Sequence, residues 1–198
     1  MKNVILNCVL LALTAGSTSA NVTVDFESPP LSLGTLLNDY SGLSWVNFQI
    51  AAAQPPASGS YAAQTVGRPP FSYPADTPYV DFSSVGLVTV EGAHFWYTLW
   101  QAGDFVLADQ PGSVTGYLGT DVVGSQVLPM SDTPSFIAIS FPGVVDRIEF
   151  TRPTDWNGRD VNISMDDLTY SVIPAPGAFL LGCIGVDLVG WLRRRKML

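Results

Sequence analysis

From Asn21 to Tyr170 the apolar positions come in short runs that alternate with polar ones, and no long stretch repeats at helical spacing. Val22-Thr23-Val24-Asp25-Phe26 alternates, and so do Leu43 to Ile50, Tyr79-Val80-Asp81-Phe82 and Gly86 to Val90. His94 to Leu99 is rich in aromatic residues. Val114 to Leu118 and Asp121 to Leu128 read as a strand pair around Gly119-Thr120, and Phe136 to Phe141, Arg147 to Thr151 and Val161 to Tyr170 complete the set. A period of two places one set of side chains on each face of a strand. Many short strands, roughly 8–12 residues apart and separated by Gly, Pro, Asn and Asp, predict a single antiparallel β-sandwich or barrel. The stretch from Gln54 to Pro78 is rich in Pro, Ala, Ser and Tyr and reads as a long surface loop.

Both ends break this pattern. Met1-Lys2-Asn3 is followed by an apolar run, Val4 to Leu13, and then by mostly small residues up to Ala20. A charged start, an apolar stretch and a small-residue exit predict a secretory signal peptide over residues 1–20, with a signal helix and cleavage after Ala20. At the other end, Pro174-Ala175-Pro176 forms a helix-breaking hinge. It is followed by the apolar stretch Ala178 to Leu192 and by Arg193-Arg194-Arg195-Lys196. A helix from Pro176 to Leu192 would be about 25 Å long, short for a hydrocarbon core of about 30 Å. The basic cluster orients such a transmembrane helix with its end in the cytoplasm and the body on the far side. The expected organisation is therefore a signal segment (1–20), a β-sandwich ectodomain (21–172) and a tail (173–198).

Charge and cysteine content narrow the chemistry. The stretch from Asn21 to Val172 holds 16 acidic and four basic residues, a net of −12. Such a surface repels nucleic acid, whose backbone needs positive charge to be neutralised. The two cysteines, Cys8 and Cys183, lie in the end segments, so the body has no disulfide, no thiolate nucleophile and no cysteine ligand for zinc. His94 is the single histidine and no Gly-x-Ser-x-Gly elbow occurs, which leaves no Ser-His-Asp arrangement to assemble around it. It reads as a packed strand residue, and the chain reads as no enzyme.

The Pro-x-Pro hinge, short apolar helix and terminal arginines of residues 172–196 resemble the PEP-CTERM sorting tail of Gram-negative bacteria, with Ala175 where that family carries Glu. The resemblance implies recognition by an exosortase-type membrane protease. It implies an inner-membrane intermediate and delivery to the cell surface or outside the cell, often alongside exopolysaccharide. The residues that would be read are Pro174, Ala175, Pro176, Arg193, Arg194 and Arg195. Scattered body motifs are similar to one type of PEP-CTERM ectodomain, a galactose-binding-like jelly roll. These are VDFE at the start, Tyr40 to Phe48, Val114-Thr115-Gly116-Tyr117, Val144 to Phe150 and Met165-Asp166-Asp167-Leu168.

In jelly rolls of that kind the first and last strands are neighbours. Asp25 and Glu27 would then approach Asp166 and Asp167. Massed carboxylates ionise together only with a cation between them, so a structural Ca²⁺ held by oxygen ligands is one expectation; the other is that alternation turns half of them to solvent. The same acids could be read as a glycoside hydrolase pair, which nothing else in the chain supports. Trp156, in the turn-rich run Pro153 to Arg159, and Trp100 are the candidates for stacking on sugar rings. The leading expectation is a non-catalytic cell-surface or extracellular-matrix protein; the alternative is a carbohydrate-binding module.

Overall fold

The computed structural model describes residues 21–27, 32–52, 59, 61–66, 77–101, 104–106, 108–129, 131–155 and 160–174. They form twelve strands: β1 (Asn21–Val24), β2 (Leu36–Tyr40), β3 (Leu43–Ala52), β4 (Tyr61–Thr65), β5 (Tyr79–Asp81), β6 (Val88–Gln101), β7 (Asp104–Val106), β8 (Ser113–Leu118), β9 (Asp121–Val127), β10 (Ser135–Ala138), β11 (Arg147–Thr151) and β12 (Asn162–Val172). No helix occurs among the described residues. The predicted signal helix and the tail from Ala175 onward lie outside them, and Pro174, the last described residue, is exposed.

The hydrogen-bonded path runs β10-β6-β12-β4-β3-β5-β11-β8-β9, with β1 added on β12, β2 on β3 and β7 on β6. Every pairing is antiparallel. Strand β3 serves both halves of this path: Phe48 to Ala52 pair with β4, while Ser44 to Val46 pair with β5. The halves then face each other. Phe150 on β11 meets Phe48 on β3 at 5.6 Å and Phe95 on β6 at 6.2 Å between ring centroids, and Phe82 just after β5 meets Tyr170 on β12 at 5.2 Å. The result is an antiparallel β-sandwich with one core between its layers, in which Phe26 stacks on Tyr40 and meets Trp45 edge-on.

Two shifts of phase shape the first layer. Val161, just before β12, and Ile163 and Met165 within it are buried in the core, but so are Leu168 and Tyr170, which are out of step with them. A strict alternation would turn one set outward, because a slip of one residue exchanges the faces. A bulge at Asp167, whose φ is 54°, absorbs the extra residue. Strand β6 makes the matching change at Gly92: Val88 and Val90 precede it, Ala93, Phe95 and Tyr97 follow, and all five are buried. For this reason the two sequence runs Gly86–Val90 and His94–Leu99 are one strand. Within the stretch read as a loop from Gln54 to Pro78, Tyr61–Thr65 instead forms β4. Both Ala62 and Ala63 are fully buried there, Ala63 in the main core and Ala62 against Trp96 on the other face. Two covered faces erase the alternation that marks a strand.

The path ends at β9 and β10, and one side chain links these edges. Gln126 Nε2 donates to Ala138 O at 2.7 Å, and Ser140 N donates to Gln126 Oε1 at 3.2 Å. The amide thereby stands in for a peptide group between two strands that have no partner in common.

Candidate functional site

Strand β11 explains how the site forms. In Arg147-Ile148-Glu149-Phe150, Ile148 and Phe150 are fully buried, so Arg147 and Glu149 share the opposite face, turned away from the core. Register brings their neighbours. Strand β5 places Tyr79 beside Glu149 and Asp81 beside Arg147. Strand β8 places Tyr117 beside Arg147 and Thr115 beside Glu149. Val80 and Val114 are fully buried beneath them, which pins the alternation on both flanking strands.

The Arg147 guanidinium lies over two rings, 4.8 Å from the centroid of Tyr117 and 5.8 Å from that of Tyr79. Its Nη2 is 3.1 Å from Glu149 Oε1. Its Nε is buried without a hydrogen-bond partner, so the ring contacts are what it has on that side. Glu149 also lies close to the Tyr117 hydroxyl. The pKa of that hydroxyl is raised, first by lost solvation, then by the charge and hydrogen bond of Glu149, with Arg147 opposing. Neither charged side chain is sequestered: 32% of Arg147 and 23% of Glu149 remain exposed. On β9, Ser125 Oγ lies 3.0 Å from Thr115 Oγ1 and extends the polar surface.

Asp146 holds this face in place from behind. Its main chain accepts from Phe82 N at 2.8 Å and donates to Tyr117 O at 2.9 Å, tying the ends of β5 and β8 together. Its Oδ2 accepts from Gly119 N in the β8–β9 turn at 2.7 Å, and Asp81 Oδ1 accepts from Ser83 N at 2.7 Å. Two aromatic faces, a cation and a carboxylate are thus fixed on paired strands before any ligand arrives, which is the condition for selective binding at little ordering cost.

The carboxylates named from the sequence are arranged otherwise. Strands β1 and β12 are neighbours, with Val24 opposite Leu168. Yet Asp25 is exposed, and Glu27 accepts Tyr61 N through Oε1 at 2.7 Å. Asp166 is fully buried and accepts Asp167 N at 2.9 Å. The bulge turns Asp167 toward His94, Oδ2 to Nδ1 3.4 Å, a contact that does not meet hydrogen-bond geometry. Among the described residues no three of His, Cys, Asp and Glu gather as metal ligands would. His94 packs edge-on against Phe136 at 5.5 Å, as a strand residue. Trp156 and the side chain of Trp100 lie outside the described residues, as do Ala175, Pro176 and the arginines Arg193 to Arg195.

No family model matches the chain, and no curated protein matches it. Solved structures do. Two mutants of CBM29-2, a family 29 carbohydrate-binding module, are similar at 12% and 11% identity, covering 78% of this chain in each case and 92% and 93% of theirs, with TM-scores of 0.43 and 0.41. The xylan-binding domain CBM22-1 of Paenibacillus barcinonensis Xyn10C is similar at 16% identity over 81% of this chain and all of that one (100%), with a TM-score of 0.46. These likenesses assign no residue of this chain a role.

Proposed function

We propose that the body is a non-catalytic polysaccharide-binding module, and that the Tyr79–Arg147–Tyr117–Glu149 face is where the polysaccharide lies. The observation that carries this reading is the guanidinium held over two tyrosine rings on a solvent-facing sheet. A pyranose offers apolar C–H faces and a rim of hydroxyls. Aromatic rings with electron-rich faces complement the first, and a paired guanidinium and carboxylate complement the second, one donating and one accepting. Among the described residues the face has no adjacent imidazole or thiol to drive turnover, and the charge of its carboxylate is balanced by Arg147.

Affinity electrophoresis of the isolated body through gels containing soluble polysaccharides tests this. Tyr117→Ala is expected to weaken retention by roughly ten- to thirtyfold, about 1.5–2 kcal/mol, as for a tyrosine at the centre of an interface. Its effect on folding stability should stay near the 0.5–1 kcal/mol of one exposed cation–π contact. Retention on no polysaccharide, or equal retention of Tyr117→Ala, overturns the reading.

The tail adds the place of action. Its hinge Pro174-Ala175-Pro176 and its terminal Arg193-Arg194-Arg195 support export, a membrane-held intermediate and trimming by an exosortase-type protease, leaving the module at the cell surface or in the exopolysaccharide around it. Intact mass of the protein from its producer checks this: a C-terminus near Pro176 is expected, and an intact Leu198 would refute processing.

A further inference from the structure

Given polysaccharide binding at this face, its charge and spacing specify the class of glycan. The face carries one cation, Arg147, and two carboxylates, Glu149 and Asp81. Glu149, 3.1 Å from Nη2, offsets the charge of that cation. The only other described cation, Arg152, is engaged with Asp160 and with Val66 O. A uronate, sulfate or phosphate would therefore approach a face that is net negative, on a body of net charge −12, and like charges set against each other disfavour binding.

The donor of Arg147 and the acceptor of Glu149 stand side by side at hydrogen-bond separation. Adjacent hydroxyls on a pyranose ring present an acceptor and a donor at a similar separation. We infer that the Arg147–Glu149 pair takes an uncharged polysaccharide through pairs of adjacent free hydroxyls, with Glu149 excluding acidic glycans.

The test compares four probes on the wild-type body: dextran and glucomannan, uncharged with adjacent free hydroxyls; a linear 1,3-linked glucan, uncharged without such pairs along its chain; and alginate, a polyuronate that has them. Dextran or glucomannan is expected to retain the protein at least tenfold more strongly than the other two. Glu149→Gln should raise the ratio of alginate to dextran or glucomannan retention on the order of tenfold at low salt, and added salt should reduce that gain. Tyr117-dependent retention on alginate or on the 1,3-glucan equal to the best of the uncharged pair overturns this inference and leaves polysaccharide binding standing. Retention on none of the four, nor on any other polysaccharide, removes both. Thermal unfolding of Glu149→Gln checks that the variant is folded, and the wild-type comparison decides the matter without it.

Discussion

Replacing Phe150 with alanine is expected to cost about 3–5 kcal/mol of folding stability, the range for emptying a fully buried phenylalanine site. Phe150 has no exposed surface. Its ring touches Phe48 of β3 at 5.6 Å and Phe95 of β6 at 6.2 Å, so it joins the two layers at the middle of the core. The neighbours are held by strand pairing on both sides, which limits collapse into the cavity. In a domain of this size the loss corresponds to a fall in Tm on the order of 10 °C. Urea unfolding should show an earlier midpoint with the same slope, because the surface exposed on unfolding barely changes. A loss below about 1 kcal/mol would mean that Phe150 is not the link between the layers.

Gly92→Ala is expected to be comparably damaging, by about 3 kcal/mol, for a different reason. A Cβ at this position would lie 2.4 Å from Ile137 O and 2.7 Å from Phe136 Cζ, and φ is 153°. The first contact is backbone, so no rotamer change relieves it, and β10 must draw away from β6. Overpacking and backbone strain each cost about 1–3 kcal/mol. Gly86→Ala is the control: φ is 103° there and nothing lies within 4 Å of the added carbon, so only strain remains. Hydrogen exchange should show lost protection at Ser135 to Ala138 in Gly92→Ala and unchanged protection in Gly86→Ala. Equal stability loss in the two variants would show that the close approach of β10 is not what Gly92 is needed for.

Gly92 also shows why some strands could be read from the chain and others could not. Strand β11 was legible because Arg147-Ile148-Glu149-Phe150 alternates without a break, and Ile148 and Phe150 are the residues the core takes. Strand β6 reads as two runs because its inward set changes phase at Gly92. A bulge is a property of pairing with β12, where Asp167 makes the matching change. Strand β4 is invisible to alternation since Ala62 and Ala63 are covered on both faces.

The site divides in the same way. That Arg147 and Glu149 share a face follows from their spacing of two along a strand. That Tyr79 and Tyr117, 38 residues apart in number, flank the same guanidinium follows only from the register of β5 and β8 on β11. The acidic residues Asp25, Glu27, Asp166 and Asp167 are the converse case. Their strands do meet, but that Glu27 accepts from Tyr61 N and that Asp167 lies beside His94 could not be read from their spacing.

By itself the sequence determined that the described body is all-β, cysteine-free and strongly acidic, and which residues of its regular strands face the core. These depend on side-chain period and composition, which are local. Only the tertiary structure decided that β3 carries the chain between two layers, that Gln126 joins the edge strands, and that one arginine lies over two tyrosines. Each of these is a pairing of residues distant in the chain, and their spacing along it holds no record of which strand lies beside which.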